Sequence, residues 1–420
     1  MKRGLTVVSC ALAHHRRMDE TRARIAHLLR RTGFGPHPGQ VDALAGAGVN
    51  AALEAVLAAP PLRPDPAELG TKDDYAQLVR WWLNVMARPD AGLHEKMVWF
   101  WHGHLTSSIG KASPLAMWRQ HQVLRTHALG NFRTLMQQIT TDAAMLGWLD
   151  GDGSVAEAPN ENYSREMMEL FTLGHDAGYT EADVRAGAIA LAGWHVDDKT
   201  TKVVYSAEEG PTGPVTYLGA SVREAGQVVD AAVDHEACAP FVAAKLYRYF
   251  HGVAPDAPTL GALATRFRAS NLEIAPLVAA ILRDPAFFDH RNNRARYPVE
   301  WFAAANAVLG TDGKDSDVLE QLGQEPFSPP NVAGWPAGPR WQSASAALAR
   351  AKYAWDAAGD SEVVSTSDPV GTILAKASIF EPSDETVTAL RQAVGAVEGR
   401  RDRASVLHAL VVTSPEFCVA

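Results

Sequence analysis

Residues Asn160 to His175 read N-E-N-Y-S-R-E-M-M-E-L-F-T-L-G-H, and the reading of this stretch decides how the chain is organised. At about 100° of rotation per residue, Glu161, Asn162, Arg165, Glu166 and Glu169 fall within an arc of roughly 140°, one polar face. Tyr163, Met167, Leu170 and Phe171 take the other side, Gly174 stands where a C-cap is expected, and His175 follows it. A helix over Asn160 to Leu173 with such a face either meets water or builds an internal polar site.

Outward from this segment, apolar residues recur at three- and four-residue intervals. They do so over Ala23–Arg31, Val41–Ala47, Asn50–Leu57, Tyr75–Met86, His94–His102, Leu115–Leu129, Asn131–Thr140 and Glu181–Leu191. The same spacing continues over Pro240–Phe250, Thr259–Ala269, Ile274–Arg283 and Pro298–Leu309. The expected fold is mostly α, a large multi-helical single domain spanning residues 18–420. Its one β feature is a small hairpin insertion at about 195–222, where V-V-Y-S and V-T-Y-L-G flank the turn-rich E-E-G-P-T-G-P. Three segments, at 135, 277 and 407, share an apolar helix followed by Asp or Ser, a small residue or Pro, and a large apolar plug, which reads as a reused helix-ending device.

The chain has 420 residues, 47% hydrophobic and 21% charged, a composition suited to a large soluble core. No apolar run reaches the length of a membrane span. A net charge of −9 argues against nucleic-acid binding by phosphate neutralisation, and Arg291, Arg294 and Arg296 read as a solvated basic loop. Cys10, Cys238 and Cys418 have no metal-like or nucleophile-like spacing and exclude a disulfide framework. Residues 1–17 imitate a secretory signal but are short in their apolar part. An upstream extension of a cytoplasmic protein is preferred over a functional export signal.

The long segment at Asn160 is preceded by W-F-W-H-G-H and followed by Y-T-E-A-D-V and L-A-G-W-H. With H-L-L-R-R-T-G-F-G-P at His27, F-V-A-A-K-L-Y-R-Y-F at Phe241 and P-F-S-P-P-N-V-A-G-W-P at Pro326, these motifs resemble the DUF1800 family of bacterial proteins over nearly the whole chain. The resemblance implies a largely α-helical protein. It also implies an extracytoplasmic setting with a DUF1501-like protein partner, although this chain lacks a long twin-arginine or Sec leader. It carries over no catalytic residues.

Four constellations are candidates for chemistry. His102 and His104 converge only if Gly103 ends the helix between them, since on a continuous helix their rings diverge by about 160°. Converged, they and His175, with Glu161, Glu166 or Glu169, suit a divalent-metal shell of zinc, iron or manganese. The plainer reading, histidines capping a helix end beneath Trp99 and Trp101, is preferred. Glu161, Glu166 and Glu169 with Arg165 suit an acid/base pair of carboxylates and an orienting cation, or merely i, i+4 bracing. Trp335, Arg340 and Trp341, in the loop Pro326–Trp341, suit an aromatic platform for a saccharide or peptide, or a hydrophobic plug. His195, with Asp197 and Asp198 at the hairpin entry, completes a site or simply shapes a turn.

No G-x-G-x-x-G, P-loop or G-x-S-x-G is present, which disfavours nucleotide-driven and serine-hydrolase chemistry. The functional expectation is a hydrolase-like, metal-assisted enzyme with a His/Glu site. The alternative is a non-catalytic helical scaffold whose charges form a buried structural network.

Overall fold

A computed structural model describes residues 18–67, 75–197, 199–313, 316–358 and 362–420. The signal-like residues 1–17 and Asp198 lie outside them. Helices dominate the described chain, at nearly every position where apolar spacing places them. Local chemistry sets their ends: Ser113, Asn131, Asp142, Asp256 and Ser343 each accept a backbone N–H of the turn they open, and Thr180 with Asp183 closes a capping box. None of the described helices is long and apolar enough to cross a membrane.

The buried apolar side chains form one continuous cluster from Ile25 to Phe417. Two helices run through it rather than over it. Leu93–His104 and Pro298–Leu309 are buried on nearly all faces, so neither shows a clean polar stripe. They are tied by an ion pair between Lys96 and Glu300, and the Lys96 ammonium also donates to the Gly33 carbonyl at 2.8 Å, in the loop after the N-terminal helix 18–32.

The reused helix-ending device is present in all three places. Asp142 accepts from the Ala144 and Met145 amides, Asp284 from the Ala286 amide, and Ser414 Oγ from the Phe417 amide. Met145, Phe287 and Phe417 are the buried plugs that follow.

The β insertion is real, but its pairing differs from the single expected hairpin. β1 (Trp194–Val196) pairs antiparallel with β2 (Val203–Tyr205), and β3 (Val215–Tyr217) with β4 (Ala220–Val222), as two separate two-stranded sheets. The turn that decides this is Leu218–Gly219, with φ of 49° and 78°, the doubly left-handed conformation of a tight two-residue hairpin. Leucine in the first left-handed position gives no compositional warning of it.

Candidate functional site

The W-F-W-H-G-H helix does not end at Gly103 but continues to His104, so the two histidine rings diverge and take separate partners. His102 Nε2 accepts the Phe327 N–H at 3.0 Å inside a nest of Trp82, Trp99, Phe327 and Trp335, and burial pushes its pKa down to about 3. His102 is therefore a neutral acceptor that holds the Pro326–Trp341 loop against the helix. That loop comes close enough to require glycine: a Cβ on Gly334 would lie 2.4 Å from the Gly103 carbonyl oxygen, and its φ is 79°.

His104 faces the end of the central helix. The segment Asn162–Glu166 is α-helical and continues as a π-helix over Met167–Thr172. The last carbonyls of any helix lack intrahelical donors, and here side chains supply them. His104 Nε2 donates to the Phe171 carbonyl at 2.9 Å and Lys245 Nζ to the Leu170 carbonyl at 2.9 Å. With Nε2–H so engaged, His104 Nδ1 is the acceptor for Lys245 Nζ at 3.2 Å. Burial, then the charge of Lys245, holds His104 well below the ordinary histidine range. Burial, then Arg248, lowers Lys245 to about 8.

The carboxylate face lies elsewhere. Arg165 forms a bidentate pair with Glu181 at 2.8 and 2.7 Å and sits 3.6 Å from Glu161 and 4.0 Å from Glu169. Glu169 is 3.1 Å from His175 Nδ1, and His175 is 69% exposed. Burial, then the charge of Glu169, raises Glu166. His102 and His104 take Phe327, Phe171 and Lys245 as partners rather than an acid of this face, and of the three candidate imidazoles His175 is the one paired with it, through Glu169. Among the described residues no group of three or more His, Cys, Asp or Glu side chains is placed to hold a metal ion.

What the fold does assemble is a cleft of about 230 Å³ where three sequence motifs meet. Trp99, Phe100 and His104 come from the W-F-W-H-G-H helix, Lys245, Arg248 and Tyr249 from the helix Cys238–His251, and Trp335 and Pro336 from the Pro-rich loop. Trp99 and Trp335 stack at 5.1 Å and 23°, and Phe100 stacks on His104 at 5.8 Å and 9°. Among the described residues, two cations line the cleft and no carboxylate does. The Trp335 Nε1–H and the Tyr249 hydroxyl are buried without a hydrogen-bond partner among the described residues. A larger cleft of about 360 Å³ beside Phe34 and Leu44 has mainly apolar walls; of its charged lining residues Arg63, Arg88 and Asp90, the last two pair with each other at 2.9 Å.

The platform residues divide. Trp335 lines the cleft, whereas Trp341 is buried, donates from Nε1 to the Pro336 carbonyl at 3.0 Å and acts as a plug, and Arg340 points to solvent. His195 pairs with Glu209 within the β insertion, and Asp197 Oδ1 accepts the Thr200 amide at 2.7 Å as a turn residue.

Sequence reasoning missed Lys245, Arg248 and Tyr249. Their i, i+3, i+4 spacing on one helix face was the available signal. It also misjudged Arg294 and Arg296, which are buried rather than solvated. Arg294 pairs with Glu300 at 3.0 Å, and that carboxylate is the reason the charge is tolerated inside. Burial alone would raise Glu300, but Arg294 and Lys96 hold it down to about 2.

The family model described as "Protein of unknown function (DUF1800)" matches residues 27–419. No curated protein and no solved structure matches the chain.

Proposed function

The chain belongs to the DUF1800 family, and from that premise we propose that it binds a small, ring-bearing organic acid in the cleft between Trp99, Lys245 and Trp335, with Lys245 as the group that moves a proton there. The observation that carries this reading is the state of Lys245. Its ammonium has three donors; one goes to Leu170 and one to His104, and among the described residues no carboxylate pairs with it. The remaining donor belongs to a group that lines the cleft beside Arg248. A cation without a counter-ion in a partly desolvated, aromatic-walled cleft favours an anionic oxygen.

The aromatic walls suit the flat face of a ring, aryl or sugar. A lysine lowered toward neutrality by burial is also suited to acid–base work at its ordinary operating pH. In this reading His104 keeps Lys245 oriented and never carries charge itself. The hydrolase-like chemistry expected from the Glu161–Glu169 face moves to the Lys245 cleft, and that face is left as an exterior brace.

Tryptophan fluorescence titrated with benzoate and with glucuronate, in the natural protein and in Lys245→Met, tests the proposal. Saturable quenching that the substitution removes, with the fold preserved by circular dichroism, supports it. Equal quenching in both proteins, or none in either, overturns it and leaves the scaffold alternative standing.

A further inference from the structure

Four cations, Arg31, Lys96, Arg294 and Arg296, are more than nine-tenths buried around one buried carboxylate, Glu300. Their donors outnumber their partners: Arg31 Nε and Nη1, Arg294 Nε and Arg296 Nη1 are buried without a hydrogen bond. Guanidinium groups do not shed their proton to relieve such an imbalance, and uncompensated buried charge is strongly unfavourable. An anion held nearby would offset this surplus through its charge.

A third cleft, of about 320 Å³, opens beside this cluster. Arg248, Gly252, Asn293, Arg294, Tyr297 and Gln342 line it, and among the described residues no carboxylate does. Its floor at Gly252 is thin. The residue has a φ of 78°, and a Cβ there would meet Asn293 Oδ1 at 2.4 Å and Arg31 Nη2 at 3.2 Å. Arg31 therefore lies directly behind the floor, donating to Asn293 Oδ1 at 2.6 Å, while Arg294 forms part of the wall. Arg248 stands at the mouth, solvent-exposed, with no side-chain partner among the described residues.

We propose that this cleft binds a phosphate group, with Arg294 and Arg248 as its contacts and Arg31 as the charge beneath it. A tetrahedral dianion is favoured over a carboxylate on two grounds. It offsets more of the surplus charge, and its oxygens can serve two guanidinium groups from different sides. The inference stands on the buried cations and not on the Lys245 reading, although Arg248 and Tyr297 border both clefts.

Isothermal titration of the whole protein with inorganic phosphate, at ionic strength fixed with chloride and with sulfate in a parallel arm, provides the test. The expected result is saturable one-site binding of phosphate that Arg248→Gln weakens about tenfold or more and Lys245→Met leaves intact. Equal saturable binding of sulfate would assign the site to divalent oxyanions generally and overturn the phosphate assignment. Heats that never saturate, or binding unchanged by Arg248→Gln, would overturn the site itself. Because Arg248 is exposed and unpaired, its substitution leaves the fold intact. Absence of ring-acid binding by the natural protein, with phosphate binding present, counts against the Lys245 reading only.

Discussion

Lys245 Nζ lies 3.2 Å from His104 Nδ1, across 141 residues of chain, and the two side chains together close the end of the central helix by reaching the Leu170 and Phe171 carbonyls. The same pair that finishes the helix also forms the polar corner of an aromatic cleft. Stability and binding are therefore coupled at this point, and they can be separated by experiment.

Lys245→Met should destabilise the protein by about 1–3 kcal/mol, because the Leu170 carbonyl and His104 Nδ1 lose a buried donor. Chemical denaturation of the two proteins at neutral pH measures this. The natural protein should also gain stability from about pH 8 toward the ordinary lysine range. Burial has lowered the folded-state pKa to about 8, so over that interval the unfolded chain holds more protons. Lys245→Met should lack that gain.

Glu300→Gln leaves Lys96 and Arg294 buried beside a neutral amide and should cost about 3–5 kcal/mol. The acid limb carries the sign. Arg294 and Lys96 hold the folded-state pKa of Glu300 at about 2, below its ordinary value, so its contribution is fully present above about pH 4.5 and is lost as pH falls toward 2. Thermal melts between pH 2 and 7 should show a shallower acid loss in Glu300→Gln than in the natural protein.

Substitutions on the exterior acid face should matter little. Arg165 and its partners are partly solvated, so Arg165→Ala and Glu166→Gln should each change stability by less than about 1 kcal/mol. A loss above about 2 kcal/mol in urea denaturation would show that the face is an internal network.

His102→Ala removes an aromatic ring from a packed nest and strands the Phe327 amide. A cost of about 2–4 kcal/mol is expected from the cavity and the unpaired donor together. Because His102 also holds the loop carrying Trp335, the fluorescence of the Trp99–Trp335 pair should shift to longer wavelength in this variant.

The helical architecture was legible because apolar spacing is a local property and survives packing, as at Tyr75–Met86 and Ile274–Leu282. The strand pairing was not, since Leu218 adopts a left-handed turn that its side chain does not advertise. The site was legible only as a list of motifs. A helical wheel at a fixed 100° per residue cannot foresee the change to π geometry at Met167, yet it kept Arg165 and Glu169 on one face, where they lie 4.0 Å apart. Nothing in the local spacing reveals that Phe327 engages His102 or that Lys245 engages His104, because those contacts join distant segments through the tertiary fold. Arg294 and Arg296 were unreadable for a related reason. Whether an arginine is solvated or buried depends on a carboxylate reaching it, here Glu300 from the following helix.

The most direct measurement is the affinity for glucuronate and benzoate between pH 6 and 10, in the natural protein and in Lys245→Met. The account predicts saturable binding that is constant below about pH 8 and then weakens by about tenfold per pH unit as Lys245 loses its charge, against weak and pH-independent binding in the variant. Affinity that is unaffected by pH across that range, or equal in the two proteins, would contradict it.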